Sequence, residues 1–201
     1  MAMERPDHLL EAAAKRFALY GFRRTVLDDV ARDAGMAKGS IYLHAASKED
    51  LFLQVVQREQ QLMGEAAREA AAGHEDPRRA MEAIVWRMLP WLDERPLMGR
   101  LMTGDPELGT GPELAGRVAE TCHSERHVYA VIGEEVNRGV AMGLFRPDTL
   151  PEGAVTLVIS LFHIHLHNKR QRFIELDSTV FIRELLRILF EGIQKREGEP
   201  A

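Results

Sequence analysis

The stretch from Thr25 to Leu51, TVLDDVARDAGMAKGSIYLHAASKEDL, constrains the fold of this chain more than any other. Thr25 stands three residues before Asp28, a spacing at which each side chain can satisfy free amides of a first helical turn. Val26, Val30, Ala31 and Ala34 then recur at helical intervals, and Gly35 supplies the left-handed residue that a sharp helix exit needs. After Met36 and Ala37 a second short helix is predicted over Lys38 to Ala45. It carries Lys38, Ser40, Tyr42 and His44, four side chains able to donate hydrogen bonds to phosphate. Ser47 is placed to cap a further helix that has Lys48 in its first turn. Two short helices joined by a glycine-containing turn make a helix-turn-helix, whose second helix can enter a DNA major groove.

From Leu9 to Leu51 the chain resembles the N-terminal domain of TetR-type transcriptional regulators. The matching features are Phe17 and Gly21 at the end of a first helix, Thr25, Val30-Ala31, Ala34-Gly35, Gly39, Tyr42-x-His44 and Ser47-Lys48-Glu49. About a fifth of the chain is covered. Two positions depart from the family pattern. Ala37 stands where serine or threonine is usual, which leaves the second helix without a side-chain cap, and Ala45 stands where phenylalanine is usual.

Composition agrees with a helical, globular protein. Ala, Leu, Glu and Arg dominate and Val/Ile/Thr alternation is rare, so the expected fold is all-α: an N-terminal three-helix helix-turn-helix domain and a larger helical domain for ligand binding and dimerisation, with about nine helices in all. The net charge of −5 would oppose nucleic-acid binding if it were uniform. It is not uniform: residues 1–50 hold 8 Lys+Arg against 8 Asp+Glu, and the excess of acid lies in the remainder. Binding therefore needs a local cationic face, for which Arg23, Arg24, Lys38 and Lys48 are the candidates. Cys122 is the single cysteine, so no internal disulfide is possible and a reducing cytoplasm is expected. No signal peptide is evident and the apolar run from Val155 to Phe162 is too short to span a bilayer.

Along the chain, Leu10, Ala14 and Phe17 form the core stripe of helix 1. A domain boundary is expected at 47/48, giving 1–47 for DNA and 48–201 for ligand and dimerisation, connected by a long helix over 48–72 that Gly73 ends. Asp76-Pro77 starts the next helix, which Pro90 should kink or break. A short helix over 97–102, a loop over 103–112, a long helix over 113–142 and two final helices over 152–170 and 178–195 complete the prediction.

The last helix carries a second pattern. With successive residues ~100° apart, Arg183, Glu184, Arg187 and Glu191 fill one narrow stripe, while apolar residues from Phe181 to Ile193 spread over roughly 200°. That is about twice what one packed face requires, so this helix is expected to be covered on two sides. TetR-type proteins pair their last two helices with a second copy in a four-helix bundle, and the resemblance implies a homodimer using Ser160, His167, Phe181, Leu185 and Leu189. A monomer in which the final helix is simply central is the alternative.

Histidines invite a different chemistry. His123 and His127, and likewise His163 and His167, lie one turn apart on helices, and two such pairs could converge on a metal. Hydrogen-bonded structural histidines explain them equally, and no metal or cofactor is assigned. Thr156, Ser160, His163 and His167 form an uncharged polar stripe suited to an interface or a cavity, while His165 sits in the apolar arc with Val158 and Leu161. No enzyme motif survives inspection: Gly109-Thr110-Gly111 follows no strand, and Glu125 faces away from His123 and His127.

The expectation is a ligand-responsive regulator, not an enzyme, that acts as a repressor released from a palindromic operator by a small molecule. By resemblance, Lys38 and Leu43 read bases, Gly39 lies among them in the groove, and Thr25, Ser40, Tyr42, His44 and Lys48 hold phosphates. Trp86, Met88, Trp91, Met102, His123, His127, Tyr129, Phe162 and His163 are the candidates for contact with an apolar or aromatic effector. The alternative is an all-α metal-binding protein or enzyme built on the histidine pairs.

Overall fold

A computed structural model describes residues 5–121, 128–171 and 177–194. The α-helices are α1 (Arg5–Arg24), α2 (Leu27–Asp33), α3 (Lys48–Ala71), α4 (Pro77–Glu94), α5 (Pro96–Met102), α6 (Gly111–Thr121), α7 (Val128–Ala141), α8 (Pro151–Gln171) and α9 (Ser178–Ile193). Two 3-10 helices, Lys38–Leu43 and Pro106–Leu108, are interposed. The all-α expectation holds: the described residues contain one isolated antiparallel bridge, Phe145 with Gln194, and no named strand. None of the described helices is long and apolar enough to cross a membrane.

The helix boundaries follow local chemistry. Ser47 Oγ accepts the Asp50 amide at 3.1 Å while the Asp50 carboxylate takes the Ala46 amide at 2.8 Å, so the α3 start is capped from both directions. Asp76 accepts the Arg78 amide at 2.9 Å ahead of Pro77. Pro90 does not break α4, contrary to expectation. Pro90 is itself exposed, which leaves the carbonyl deprived of its bond near solvent, and Met88, Leu89, Trp91 and Leu92 on the opposite side are buried and hold the helix together. The helix expected over 113–142 is described as α6 and α7; Cys122, His123 and His127 lie outside the described residues.

The chain forms two compact units, one of Met1–Leu62 with Arg95–Ser124 and the other of Met63–Glu94 with Glu125–Ala201. A single cut at 47/48 therefore does not match the compact units. The reason lies in the core of the first unit, where Leu97, Leu108 and Leu114 are buried with residues of α1, α2 and the first half of α3. Some forty-odd residues of helix-turn-helix enclose little apolar volume alone, and the later segment enlarges it. Phe17, Phe22 and Phe52 meet at its centre, with Phe52 edge-on to Phe17 at 4.9 Å and to Phe22 at 5.3 Å. Gly21 interrupts α1 at φ 77°, and a Cβ there would come within 2.6 Å of the Glu107 carbonyl oxygen. Glycine is required at this position on both counts.

Charges reinforce the same unit. Buried Glu59 accepts from Arg95 at 2.6 Å, and Arg58 binds both Asp7 and Glu11 at 3.2 Å. Burial raises the Glu59 pKa, with Arg95 opposing it; for Glu11 burial also acts upward, but Arg95 and Arg58 together pull its pKa below the ordinary value. In the second unit, Phe145 stacks on Phe190 at 6.4 Å, Arg78 lies over the Phe190 ring at 5.1 Å, and the Arg146 amide donates to the Ile193 carbonyl at 2.8 Å.

Removing one partner of a buried ion pair leaves the other charge uncompensated. Arg95→Ala is expected to destabilise the protein by about 3–5 kcal/mol, read as a lower urea midpoint, whereas Arg95→Lys recovers part of the loss.

Candidate functional site

Ile41 is fully buried in the core of the first unit and fixes the rotation of the 3-10 helix Lys38–Leu43. Its neighbours must then face solvent: Tyr42 is 59% and Leu43 84% exposed. An α-helix was expected over Lys38 to Ala45. The shorter 3-10 form arises because Ala37 provides no side-chain cap, Gly39 is a poor helix former, and Ser40 and His44 amides bond three residues back to Ala37 and Ile41. Gly39 is exposed with nothing within 4 Å of where a Cβ would be, and Ser40 is half-buried. Ala45 is buried, so the small residue packs inside the fold.

Two candidates behave differently from expectation. Thr25 does not cap α2; the N-cap is Val26, without a side-chain hydrogen bond. Thr25 is 2% exposed, and its hydroxyl donates to the Gly21 carbonyl at 2.7 Å, which closes the bend between α1 and α2. That removes the hydroxyl from the phosphate donors. Lys48 donates to the Arg23 and Thr25 carbonyls, each at 3.3 Å, and lies 4.6 Å above the Phe22 ring. It ties the start of α3 to the same bend, a role that spacing alone did not reveal. An ammonium has three protons, so one remains for a phosphate. His44 is half-buried, and its carbonyl accepts from Gln54 at 3.0 Å.

Lys38 forms an ion pair with Asp28 at 2.6 Å. Hydrogen bonding to Asp28 raises the Lys38 pKa, so this side chain stays charged but is partly neutralised by its neighbour. The other two acids of α2 are also engaged: Arg16 binds Asp29 at 3.0 Å and Asp33 at 2.5 Å, pinning α2 to α1 and lowering the Asp33 pKa. Arg23 and Arg24 are exposed, and neither they nor Lys48 have a carboxylate partner among the described ion pairs. The exposed face of the 3-10 helix thus carries Lys38, Tyr42 and Leu43.

The effector candidates divide. Met88, Trp91 and Phe162 are buried in the second unit, where Trp86 and Tyr129 are half-buried and His163 is exposed. Met102, on α5, belongs to the first unit. His123 and His127 fall outside the described residues. Among the described residues no group of three His, Cys, Asp or Glu could hold a metal ion. His165 was not singled out as a contact residue, yet both of its ring nitrogens are buried without a hydrogen-bond partner. The signal in the sequence was its position inside an apolar arc.

On α9 the two-sided reading resolves into two faces. Ile182, Leu186, Leu189 and Phe190 pack inside the unit, while Phe181, Leu185 and Ile188 are half-buried or open. Leu189, expected at an interface, is 8% exposed and belongs to the chain's own core; Ile188, one position and ~100° away, is 54% exposed. On α8 the open stripe comprises Thr156, Ser160, His163 and His167, flanked by exposed Leu157.

Residues 9–55 match the family described as bacterial regulatory proteins, tetR family. The chain is 28% identical over 167 residues to the uncharacterised HTH-type transcriptional regulator YhgD of Bacillus subtilis, covering 81% of this chain and 82% of that one. The fold is shared with the fatty acid degradation regulator FadR from Bacillus halodurans, at 19% identity and a TM-score of 0.75 over 98% of this chain and 100% of that one. It is also shared with the transcriptional regulator FadR from Bacillus subtilis in complex with stearoyl-CoA, at 15% identity and a TM-score of 0.72 over 94% and 99%.

Two expectations come from this geometry. Asp28→Asn frees Lys38 from its counter-charge, and affinity for all duplexes should rise with the slope of log K against log salt steepening by up to about one unit, measured by anisotropy titration at several salt concentrations. His165 has a pKa lowered by burial, with Asp93 opposing and Lys169 adding to the shift. A base depressed in the folded state contributes stability above its ordinary 6.5 that is lost as pH falls through the lower folded value. The urea midpoint should therefore drop as pH falls below that ordinary value, and drop less in His165→Leu.

Proposed function

We infer, from a chain that belongs to the tetR family of bacterial regulatory proteins, a ligand-responsive DNA-binding regulator that works as a homodimeric repressor in the cytoplasm. The observation that carries this reading is the outward presentation of Lys38, Tyr42 and Leu43 by a 3-10 helix whose rotation Ile41 fixes from below. Leu43 and Lys38 are assigned to base edges; Tyr42, Ser40, His44 and Lys48 are assigned to phosphates, which position without reading sequence. The positive end of the α3 dipole adds a partial positive charge beside Lys48. Thr25 is left out of this set.

Dimerisation is supported by the open apolar face of α9 and the uncharged stripe of α8. Ile188 and Leu157 are more than half exposed and Phe181 and Leu185 are half-buried, while the Arg187 pairs with Glu184 and Glu191 form a charged stripe beside this apolar face. Two-fold symmetry makes the operator a palindrome, with half-sites one helical turn or a multiple apart.

For the effector, the stearoyl-CoA bound by the Bacillus subtilis FadR suggests a long acyl chain, and buried Met88, Trp91 and Phe162 suit such a ligand. A ligand that binds the DNA-incompetent form better must be displaced by DNA to the same degree that it displaces DNA, typically by ~1–3 kcal/mol.

Anisotropy titration of the full-length protein against fragments of its own genome tests the reading. A palindromic fragment should bind at least a thousandfold tighter than random duplex at equal salt. Tyr42→Ala should weaken both about equally, and Ile188→Glu should yield a monomer by sedimentation with operator affinity lost. A protein that shows no retained duplex even at low salt would end the proposal.

A further inference from the structure

His165 is half-buried, but both of its ring nitrogens are buried and the fold leaves them without a bond. Neither ring nitrogen has a hydrogen-bond partner in the protein, although nearly all buried polar groups find one. Along α8, Val158, Leu161, Phe162, His165 and Lys169 recur at intervals of three and four, so they share a face. Lys169 reaches Asp93 at the end of α4 at 2.6 Å. That bond turns the shared face toward the last turns of α4, where Met88 and Trp91 are buried. The imidazole thus lies on an apolar seam whose end is closed by an ion pair.

We propose that His165 is the polar anchor of the effector site, donating a ring N–H to the carbonyl oxygen of an acyl chain that lies along the apolar seam of α4 and α8. This rests on the acyl-effector reading above. Burial favours the neutral imidazole, with one N–H to donate and one lone pair to receive, and a neutral donor suits an uncharged carbonyl better than a second ion. The apolar neighbours take the hydrocarbon, and the single polar group sets its depth and orientation. Without ligand the unbonded imidazole is a burden to the fold; with ligand it is satisfied. The burden makes the site favour occupancy and lets one side chain discriminate a carbonyl-bearing chain from a plain hydrocarbon.

Calorimetric titration of the full-length protein with stearoyl-CoA and with stearate separates the two sources of an acyl carbonyl. Variants His165→Leu and His165→Gln are compared with wild type, together with their melting temperatures without ligand and their operator binding. The expected result is that wild type binds one or both probes. His165→Leu should weaken that probe by about tenfold or more while melting at the wild-type temperature or above it. His165→Gln, which keeps an N–H, should recover most of the affinity. Unchanged affinity in His165→Leu overturns the anchor alone. So does a fall of several degrees in its melting temperature without ligand, because a histidine satisfied by internal water would be structural. A wild-type protein that holds its operator but binds neither probe overturns the acyl-effector reading, and the anchor with it.

Discussion

Phe52 stands edge-on to Phe17 and Phe22, and this three-ring contact is what the DNA-facing geometry depends on. Phe17 and Phe22 flank the break in α1 at Gly21, so the rings fix the chain on both sides of a point where its direction changes. The Thr25 hydroxyl then bonds the Gly21 carbonyl, and Lys48 reaches the Arg23 and Thr25 carbonyls from the first turn of α3. Backbone groups freed by the bend are therefore satisfied by side chains rather than by solvent. Only with that bend fixed does Ile41 meet the core at an angle that leaves Tyr42 and Leu43 outside. A short 3-10 helix has little stability of its own, and its precision is borrowed from the aromatic cluster beneath it.

Much of this was legible in the residues. Gly35 and Gly73 end helices with positive φ, Ser47 caps α3, and Asp76-Pro77 opens α4, because these are local events decided by side chains within a few positions. The readings that failed were those needing to know what lay across the core. Thr25 has the spacing to Asp28 of a cap, but Val26 is the N-cap and the Thr25 hydroxyl turns back to donate to the Gly21 carbonyl. Pro90 looked like a helix breaker, yet an exposed proline above a buried face costs one hydrogen bond and not the helix. Leu189 and Ile188 differ by one step on a helix, and periodicity alone could not say which of two apolar faces belonged to the chain's own core.

His165 shows the opposite limit. In the sequence it was one of three alternate histidines, and the pair His163 and His167 drew attention because i, i+4 spacing suggests shared chemistry. Burial reverses the ranking. His163 and His167 are exposed, while the ring nitrogens of His165 are buried and unbonded, and a polar atom denied both water and partner costs free energy. Spacing identifies which side chains share a face; only the surrounding packing tells which face is dry.

A chain of net charge −5 that binds a polyanion need not be a contradiction, and the ion pairs of the first unit show why. Arg16 occupies Asp29 and Asp33, and Lys38 occupies Asp28, so the three acids of α2 present little uncompensated charge. Arg23, Arg24 and Lys48 keep theirs, because their described partners are carbonyls or rings rather than carboxylates. Beyond about 8 Å in physiological salt, exposed charges are largely screened from one another. What a phosphate experiences is therefore the set of charges within that distance of it, and not the total for the chain. The acidic excess elsewhere opposes weak, indiscriminate adhesion to DNA more than it opposes docking of this one surface, which favours binding that depends on fit.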